Sequence, residues 1–132
     1  MHPLHHAESS VRKWGGEVRD YLAIHEWFDG SKAHLADFRH RALRHHSEGI
    51  FMAETIFGRS ITTSTGREIP VRFVGEQHVM EDLGRIPTVA DWLGNIKPET
   101  WMVGVHRKCA VGCREGVHAG RAARVPPEFS HA

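Results

Sequence analysis

Apolar side chains recur at helical spacing through the first half of the chain. Residues 17–28 carry them three or four positions apart, at Val18, Tyr21, Leu22, Ile24 (or His25) and Phe28. This spacing predicts one amphipathic helix. The preceding residues 3–13 also have helical character, and Gly15 with Gly16 is a strong helix-breaking pair that ends them.

A longer helix is predicted over residues 32–57, with Ser31 as its N-cap and Gly58 just beyond its end. The segment has no proline and is rich in helix-forming residues. At about 100° per residue its apolar side chains form one stripe, which we expect to face the core. The stripe consists of Leu35, Phe38, Ala42, Gly49, Ile50, Ala53 and Phe57.

The pattern changes after residue 60. Residues 61–63 and 69–73 flank a turn that contains Gly66, which predicts a β-hairpin. Pro70 confines its strand to a sheet edge. A short helix is predicted over residues 76–83, and the Thr88–Asp91 pair predicts a capping box for a last helix over 89–95. The sequence therefore predicts a mainly α fold, a compact bundle of four to five helices with one small β-hairpin.

The distribution of charged residues predicts a domain boundary. The 132 residues suffice for one domain with a buried core. Residues 1–103 hold 12 Lys/Arg and 14 Asp/Glu, and 104–132 hold 5 and 2, so the charge changes from −2 to +3. We expect a His-rich helical domain over 1–102 and a flexible basic C-terminal tail over 103–132.

Composition also narrows the function classes. A net charge of +1 argues against a nucleic-acid partner, and no apolar run is long enough to span a bilayer. The two cysteines give no disulfide framework, and no apolar signal core begins the chain. These features predict a cytoplasmic protein without a membrane partner.

Histidine is the most informative residue type. Nine of the twelve histidines lie within the first 78 residues, and histidine is the commonest metal ligand. On the predicted long helix, a polar row beside the apolar stripe holds His34, Asp37, Arg41, His45 and Glu48. His34 and Asp37 could converge on one ion, whereas His45 lies roughly 16 Å further along. His45 then belongs to a second site or to a hydrogen-bond network.

Other segments could complete a site with this row. His2 and His6 are four residues apart, and His78 precedes Glu81 and Asp82 at helical spacing. The predicted metal ligands are His6, His34, Asp37 and His78. Such mixed nitrogen and oxygen ligation suits a divalent ion, namely Zn, Fe, Mn or Ni.

Simpler interpretations stay open. The polar row could be a solvated helix face, with Asp37 and Arg41 as an ion pair. Asp37 and Asp82 could orient imidazoles instead of binding metal. No common metalloenzyme motif such as HExxH occurs. In the tail, His106, Cys109, Cys113 and His118 form either a second zinc site or a segment with two free thiols.

Three stretches resemble one protein family: HPLHHAESSVRKWGG, DYLAIHEWFDGSKAHLADFRHRALRHHSEGIF and GEQHVMEDLGRIPTVADWL. The family comprises short, His-rich bacterial and phage-associated proteins that share a domain of unknown function. The resemblance covers about residues 2–102 and implies that the tail is an extension. It implies no activity, but it places family motif positions at His2, His6, His25, His34, Asp37, His40, His45, His78, Glu81 and Asp82.

The first functional hypothesis is a metal-dependent hydrolase of a phosphoester or similar small polar substrate. Glu81 or Asp82 would act as the general base, and Arg41 would pair with an anionic group of the substrate. The alternative is a non-enzymatic binding module of bacterial or phage origin with structural histidines. Exposed Phe51 and Met52 could then support a homodimer.

Overall fold

The computed structural model describes residues 1–105 and confirms a mainly α fold with one small hairpin. Within these residues lie six α-helices and a two-stranded antiparallel sheet. The helices are α1 (Pro3–Trp14), α2 (Val18–Asp29), α3 (Arg41–Arg44), α4 (Ser47–Phe57), α5 (Val71–Leu83) and α6 (Val89–Leu93). The strands are β1 (Ser60–Thr62) and β2 (Glu68–Pro70).

The first two helices form where the sequence predicts them. Pro3 occupies the first turn of α1, and the His2 side chain accepts a hydrogen bond from the Leu4 N–H. Gly15 ends α1 with a φ of 84°, a conformation that favours glycine. A reciprocal capping box between Glu17 and Asp20 begins α2.

The prediction of one helix over residues 32–57 is wrong. Two 3₁₀ turns, Gly30–Ala33 and Phe38–His40, replace its first part, and α3 and α4 are separate helices. Asp37 accepts a hydrogen bond from the Arg39 N–H, and His46 accepts one from the Gly49 N–H. Side chains that accept backbone N–H groups compete with helix continuation, so each of these residues starts a new turn instead.

The hairpin is confirmed, with a shorter second strand than predicted. Ile61 pairs with Ile69, and Gly66 takes a φ of 87° in the turn. The predicted strand over residues 69–73 ends at Pro70, which becomes the N-cap of α5. Because proline lacks an N–H and is favoured at helix starts, it ends the ladder there. The predicted helix over 76–83 therefore begins five residues earlier, at Val71.

Helices α2, α4 and α5 pack around the core. Gly75 on α5 allows this approach, because a Cβ there would lie 3.1 Å from Phe28 and 3.3 Å from Ile50. The predicted capping box of Thr88 and Asp91 starts α6. The buried apolar side chains are Ala7, Tyr21, Ile24, Phe28, Ile50, Ala53, Ile69, Val71, Val74 and Val79.

The chain divides into a unit spanning Met1–Ile96 and a second unit that begins at Lys97. The described part of the second unit contains one 3₁₀ helix, Thr100–Val103. The predicted cluster of His106, Cys109, Cys113 and His118 lies outside the described residues, and the boundary at residue 102 stays a prediction. Among residues 1–105, no helix has the length and apolar character needed to cross a membrane.

Candidate metal centre

Imidazoles and carboxylates meet inside the first unit, although they come from distant parts of the chain. Helices α1, α2 and α5 contribute most of them, and the turn between α3 and α4 contributes His45. Residues four apart on a helix share one face, which brings each pair to the same point. The pairs are His6 with Ser10, His25 with Asp29, and His78 with Asp82.

Four ligand atoms of this cluster surround one point. They are Asp29 Oδ1, His45 Nε2, His78 Nε2 and Asp82 Oδ2, and all lie within 4.8 Å of one another. His45 is 3.0 Å from Asp82 and 3.6 Å from Asp29, and His78 is 3.3 Å from each carboxylate. Two ligands bound at ~2.1 Å to a tetrahedral ion are about 3.4 Å apart. The four distances, 3.0–3.6 Å, therefore suit neighbouring ligands of one four-coordinate ion.

Both carboxylates of the site are held in the charged form. Burial opposes ionisation of Asp29 and Asp82, but hydrogen bonds from His45 and His78 lower the pKa of each below its ordinary value. The Asp82 side chain is only 1% exposed and that of Asp29 6%. Two buried negative charges so close together require positive charge nearby, and the Met1 amine and Arg41 supply part of it beside Asp82.

His6 and Glu81 form a second pair beside the first. His6 Nδ1 lies 2.7 Å from Glu81 Oε1, and the carboxylate also accepts hydrogen bonds from Ser9 and Gln77. Burial disfavours a charged His6, but Asp82 and Glu81 outweigh it and raise its pKa. The pKa of Glu81 is lowered despite partial burial, because Ser9, His6 and Gln77 bond to the carboxylate.

His25 lies behind His78 and takes a different role. Burial first, and then the neighbouring His78 and His6, lower the pKa of His25 to about 2, so its ring is neutral. Its Nδ1 is 2.9 Å from His78 Nδ1, and its Nε2 is 2.8 Å from Ser10 Oγ. The His78 ring is stacked between His6, at 3.8 Å between centroids, and Phe28, at 5.0 Å. These contacts fix the plane of the His78 ring.

Some buried polar atoms of the cluster lack hydrogen-bond partners among residues 1–105. They include His6 Nε2, Asp29 Oδ2 and His45 Nδ1. His6 Nε2 lies 3.2 Å from Asp82 Oδ1 without the alignment of a hydrogen bond. An unsatisfied buried polar atom is costly, and unmet ligand atoms around two carboxylates are typical of a binding site.

The structure brings together only part of the predicted metal set. His6 and His78 are fully buried in the cluster, whereas His34 and Asp37 are exposed and lie outside it. Asp37 forms a 2.7 Å ion pair with Arg39, whose hydrogen bond lowers the pKa of the Asp37 carboxyl to about 2. The predicted ion pair partner was Arg41. His34 and Asp37 lie outside the cluster because the predicted long helix is broken into shorter elements.

The predicted catalytic residues all lie at or beside the cluster. Glu81 contacts His6, and Asp82 lies between His6, His45 and His78. Arg41 Nη2 is 3.9 Å from Asp82 Oδ1, and the Met1 amine is 3.2 Å from the same oxygen. Asp82 thus occupies the position of a ligand, while Glu81 touches only one histidine of the cluster.

Sequence reasoning missed Asp29, named His25 only as a family motif position, and assigned His45 to a second site or to a hydrogen-bond network. His25 and Asp29 are four residues apart on α2, the same spacing as His78 and Asp82 on α5. That repeated His-x-x-x-Asp spacing was the available signal. His40, which was named from the sequence only as a family motif position, is buried and lies 2.8 Å from Ser31 Oγ.

Comparison with known proteins gives a family and no function. A family model described as Domain of unknown function (DUF6915) matches residues 1–102. No curated protein and no solved structure matches the chain. The match covers every ligand atom of the cluster and more than half of the 132 residues. The chain therefore belongs to the DUF6915 family.

Proposed function

We propose that this protein binds one divalent transition-metal ion through Asp29, His45, His78 and Asp82. The observation that carries the proposal is that four buried ligand atoms, from α2, α5 and the turn before α4, lie within 4.8 Å of one another. Imidazole nitrogen and carboxylate oxygen together suit Zn, Fe, Mn or Ni, and no thiolate takes part.

Elemental analysis tests the site directly. We expect about one ion per chain in the purified wild-type protein, and at least 100-fold weaker Zn²⁺ binding for His78→Ala and for Asp82→Asn. Asp82→Asn keeps the side-chain volume, so it separates ligand loss from misfolding. Circular dichroism checks that each variant folds.

His34→Ala is the matched control, because His34 is exposed and lies outside the cluster. Binding equal to wild type supports the proposed ligands. A loss with His34→Ala that equals the loss with His78→Ala would favour the ligand set predicted from the sequence, His6, His34, Asp37 and His78. Wild-type protein without stoichiometric metal, and with no Zn²⁺ affinity, would overturn the proposal.

The reaction we propose for this centre is hydrolysis of a phosphoester or similar small polar substrate. This reaction requires a coordination position for water beyond the four protein ligands, where the ion would lower the pKa of that water. His6, with a raised pKa and an unpartnered Nε2 3.2 Å from Asp82, is suited to accept a proton there. Glu81 orients His6 through Nδ1, and the half-buried Arg41 would pair with an anionic substrate group.

Hydrolysis of bis(p-nitrophenyl) phosphate by the Zn²⁺- or Mn²⁺-loaded protein tests this reaction. We expect chelation to abolish it and Glu81→Gln to lower kcat about 100-fold, with metal content unchanged. A Glu81→Gln variant as active as the wild type would remove Glu81 and His6 from the reaction.

A homodimer through α4 is the second candidate function. Phe51, Met52 and Ile56 are 61%, 41% and 55% exposed, an unusual concentration of apolar side chains on one helix. We expect Phe51→Lys to abolish concentration-dependent association in sedimentation velocity. Wild-type protein that stays monomeric at high concentration would end this candidate.

A further inference from the structure

We infer that a hydrogen-bonded chain from Gln77 through Ser10 and His25 fixes the tautomer of His78, leaving its Nε2 free to bind the ion. The inference rests on the proposed metal site. It assigns positioning roles to three buried residues that are not themselves among the four proposed ligands. Each link follows from which atoms can donate a proton.

The first link is the orientation of the Gln77 amide. Its nitrogen lies 3.0 Å from the His6 carbonyl oxygen and 3.0 Å from Glu81 Oε1. Both partners only accept hydrogen bonds, so the amide nitrogen must face them. The Gln77 carbonyl oxygen therefore points toward Ser10 Oγ, with which it makes a short contact.

The second link follows from the single proton of the Ser10 hydroxyl. Gln77 Oε1 and the His6 carbonyl oxygen, 3.1 Å from Ser10 Oγ, have no proton to give, so the Ser10 proton is directed to these two acceptors. Toward His25 Nε2, at 2.8 Å, the Ser10 oxygen can then only accept. His25 consequently carries its proton on Nε2.

The third link passes this constraint to the metal ligand. The His25 ring is fully buried and its hydrogen bonds are to Ser10 and His78 rather than to a carboxylate, so it carries one N–H, on Nε2, and a lone pair on Nδ1. His78 Nδ1 lies 2.9 Å away and must donate its proton to His25. With Nδ1 protonated, His78 Nε2 faces Asp29 and Asp82 at 3.3 Å each, where it either donates a proton to Asp29 or gives its lone pair to an ion that replaces this proton. Because two carboxylate oxygens face this nitrogen, only a cation or a proton is stable between it and them.

Gln77 also connects this chain to His6. The same amide nitrogen donates to Glu81, which accepts the Nδ1 proton of His6. The Gln77 side chain, which is 4% exposed, thereby supports the orientation of both His6 and His78. Outer-sphere partners of this kind commonly change metal affinity by about 10- to 100-fold.

Long-range ¹H–¹⁵N NMR of the histidine rings in metal-free wild-type protein tests the chain without any ion. We expect protons on His78 Nδ1 and His25 Nε2 and none on His25 Nδ1. Zn²⁺ should bind His78 Nε2 and leave the Nδ1 proton in place. A proton on His25 Nδ1, or Zn²⁺ bound at that atom, would overturn the inference.

Ser10→Ala removes the acceptor for His25, and we expect about 10- to 100-fold weaker Zn²⁺ binding with both His25 tautomers present in the NMR spectrum. Tyr21→Phe is the matched control, because it also removes a buried hydroxyl hydrogen bond, to Gly15 O at 2.7 Å, away from the cluster. Its Zn²⁺ affinity should equal that of the wild type. Equal affinity for Ser10→Ala and Tyr21→Phe would contradict the chain.

The two proposals fail in different ways. The ring protonation pattern is read without metal, so a wrong pattern removes the chain even if Zn²⁺ binds. The expected pattern in a protein that binds no Zn²⁺ supports the chain of donors and removes only the metal site.

Discussion

Gly49, the third residue of α4, has no room for a side chain. An ideal Cβ at this position would lie 1.9 Å from the Arg44 carbonyl oxygen, which is backbone and cannot rotate away. The tight turn through His45 and His46 causes this contact, and the same turn delivers His45 to the cluster. The sequence pattern placed Gly49 on the core face of a helix but did not identify the turn.

Gly49→Ala should therefore lower the free energy of unfolding by more than about 2 kcal/mol, measured by urea denaturation. Gly30→Ala serves as control, because its Cβ would meet only the flexible end of the Arg44 side chain, at 3.1 Å. The control should stay within about 0.5 kcal/mol of wild type. Equal losses for both variants would show that the turn relaxes easily.

Asp20 connects α2 to the hairpin. Its Oδ2 accepts hydrogen bonds from the Glu17 N–H at 2.7 Å and from Ser64 N–H and Oγ at 3.0 Å each. Slight burial opposes the charge, but the Glu17 and Ser64 hydrogen bonds lower the pKa of Asp20. A lowered folded-state pKa means that the carboxylate stabilises the fold above the unfolded pKa of about 3.9 and loses this effect as the pH falls below it.

We expect Asp20→Asn to cost about 1 kcal/mol at pH 7, a modest value because solvent screens the site. The difference from wild type should shrink between pH 4 and pH 2, where the wild-type carboxyl becomes protonated. Urea titrations of both proteins over this range measure the change. A constant difference across that range would contradict the lowered pKa.

At the level of elements, the helices whose ends are marked by glycines or a capping box could be predicted. The segment over residues 32–57, which Asp37 and His46 interrupt, could not. Gly15, Gly58 and the Thr88–Asp91 box end or begin helices as the sequence indicates. Asp37 and His46 were read as helix-interior residues, yet each caps a new turn. Local helix propensity favours continuation there, but the caps by Asp37 and His46 oppose it.

This error at the element level explains the partial prediction of the site. His78 and Asp82 lie four residues apart on a helix that the pattern identified, so this pair could be predicted. His45 and Asp29 lie at a turn and at a helix end, and their approach depends on how α2 and α5 pack. Helical spacing alone cannot bring residues of separate elements together.

Because the proposed ligands join α2, α5 and the turn before α4, metal should stabilise these elements jointly. Zn²⁺ at 100 times its Kd should add about 2.7 kcal/mol and raise Tm by at least about 5 °C. Hydrogen exchange should slow in α2 and α5. Calorimetry with Zn²⁺ and with chelator measures the shift, and Asp82→Asn should show none.

At the level of the whole molecule, the family match and the cluster agree on where the working unit lies. The family covers residues 1–102, and every residue of the cluster belongs to the unit Met1–Ile96. We expect a chain that stops after Met102 to keep the Zn²⁺ affinity and the Tm of the full chain within about 2 °C. A large loss of either would place part of the folded unit in residues 103–132.

The imidazoles of His6, His25, His45 and His78 are all 0% exposed, which has a kinetic consequence. An ion seated among them cannot leave the protein unless neighbouring helices separate for a moment. Uptake and release would then follow the opening rate of the protein and become independent of chelator concentration once chelator is in excess. The protein would retain its ion through purification and dilution, and exchange with isotopically labelled metal would be slow.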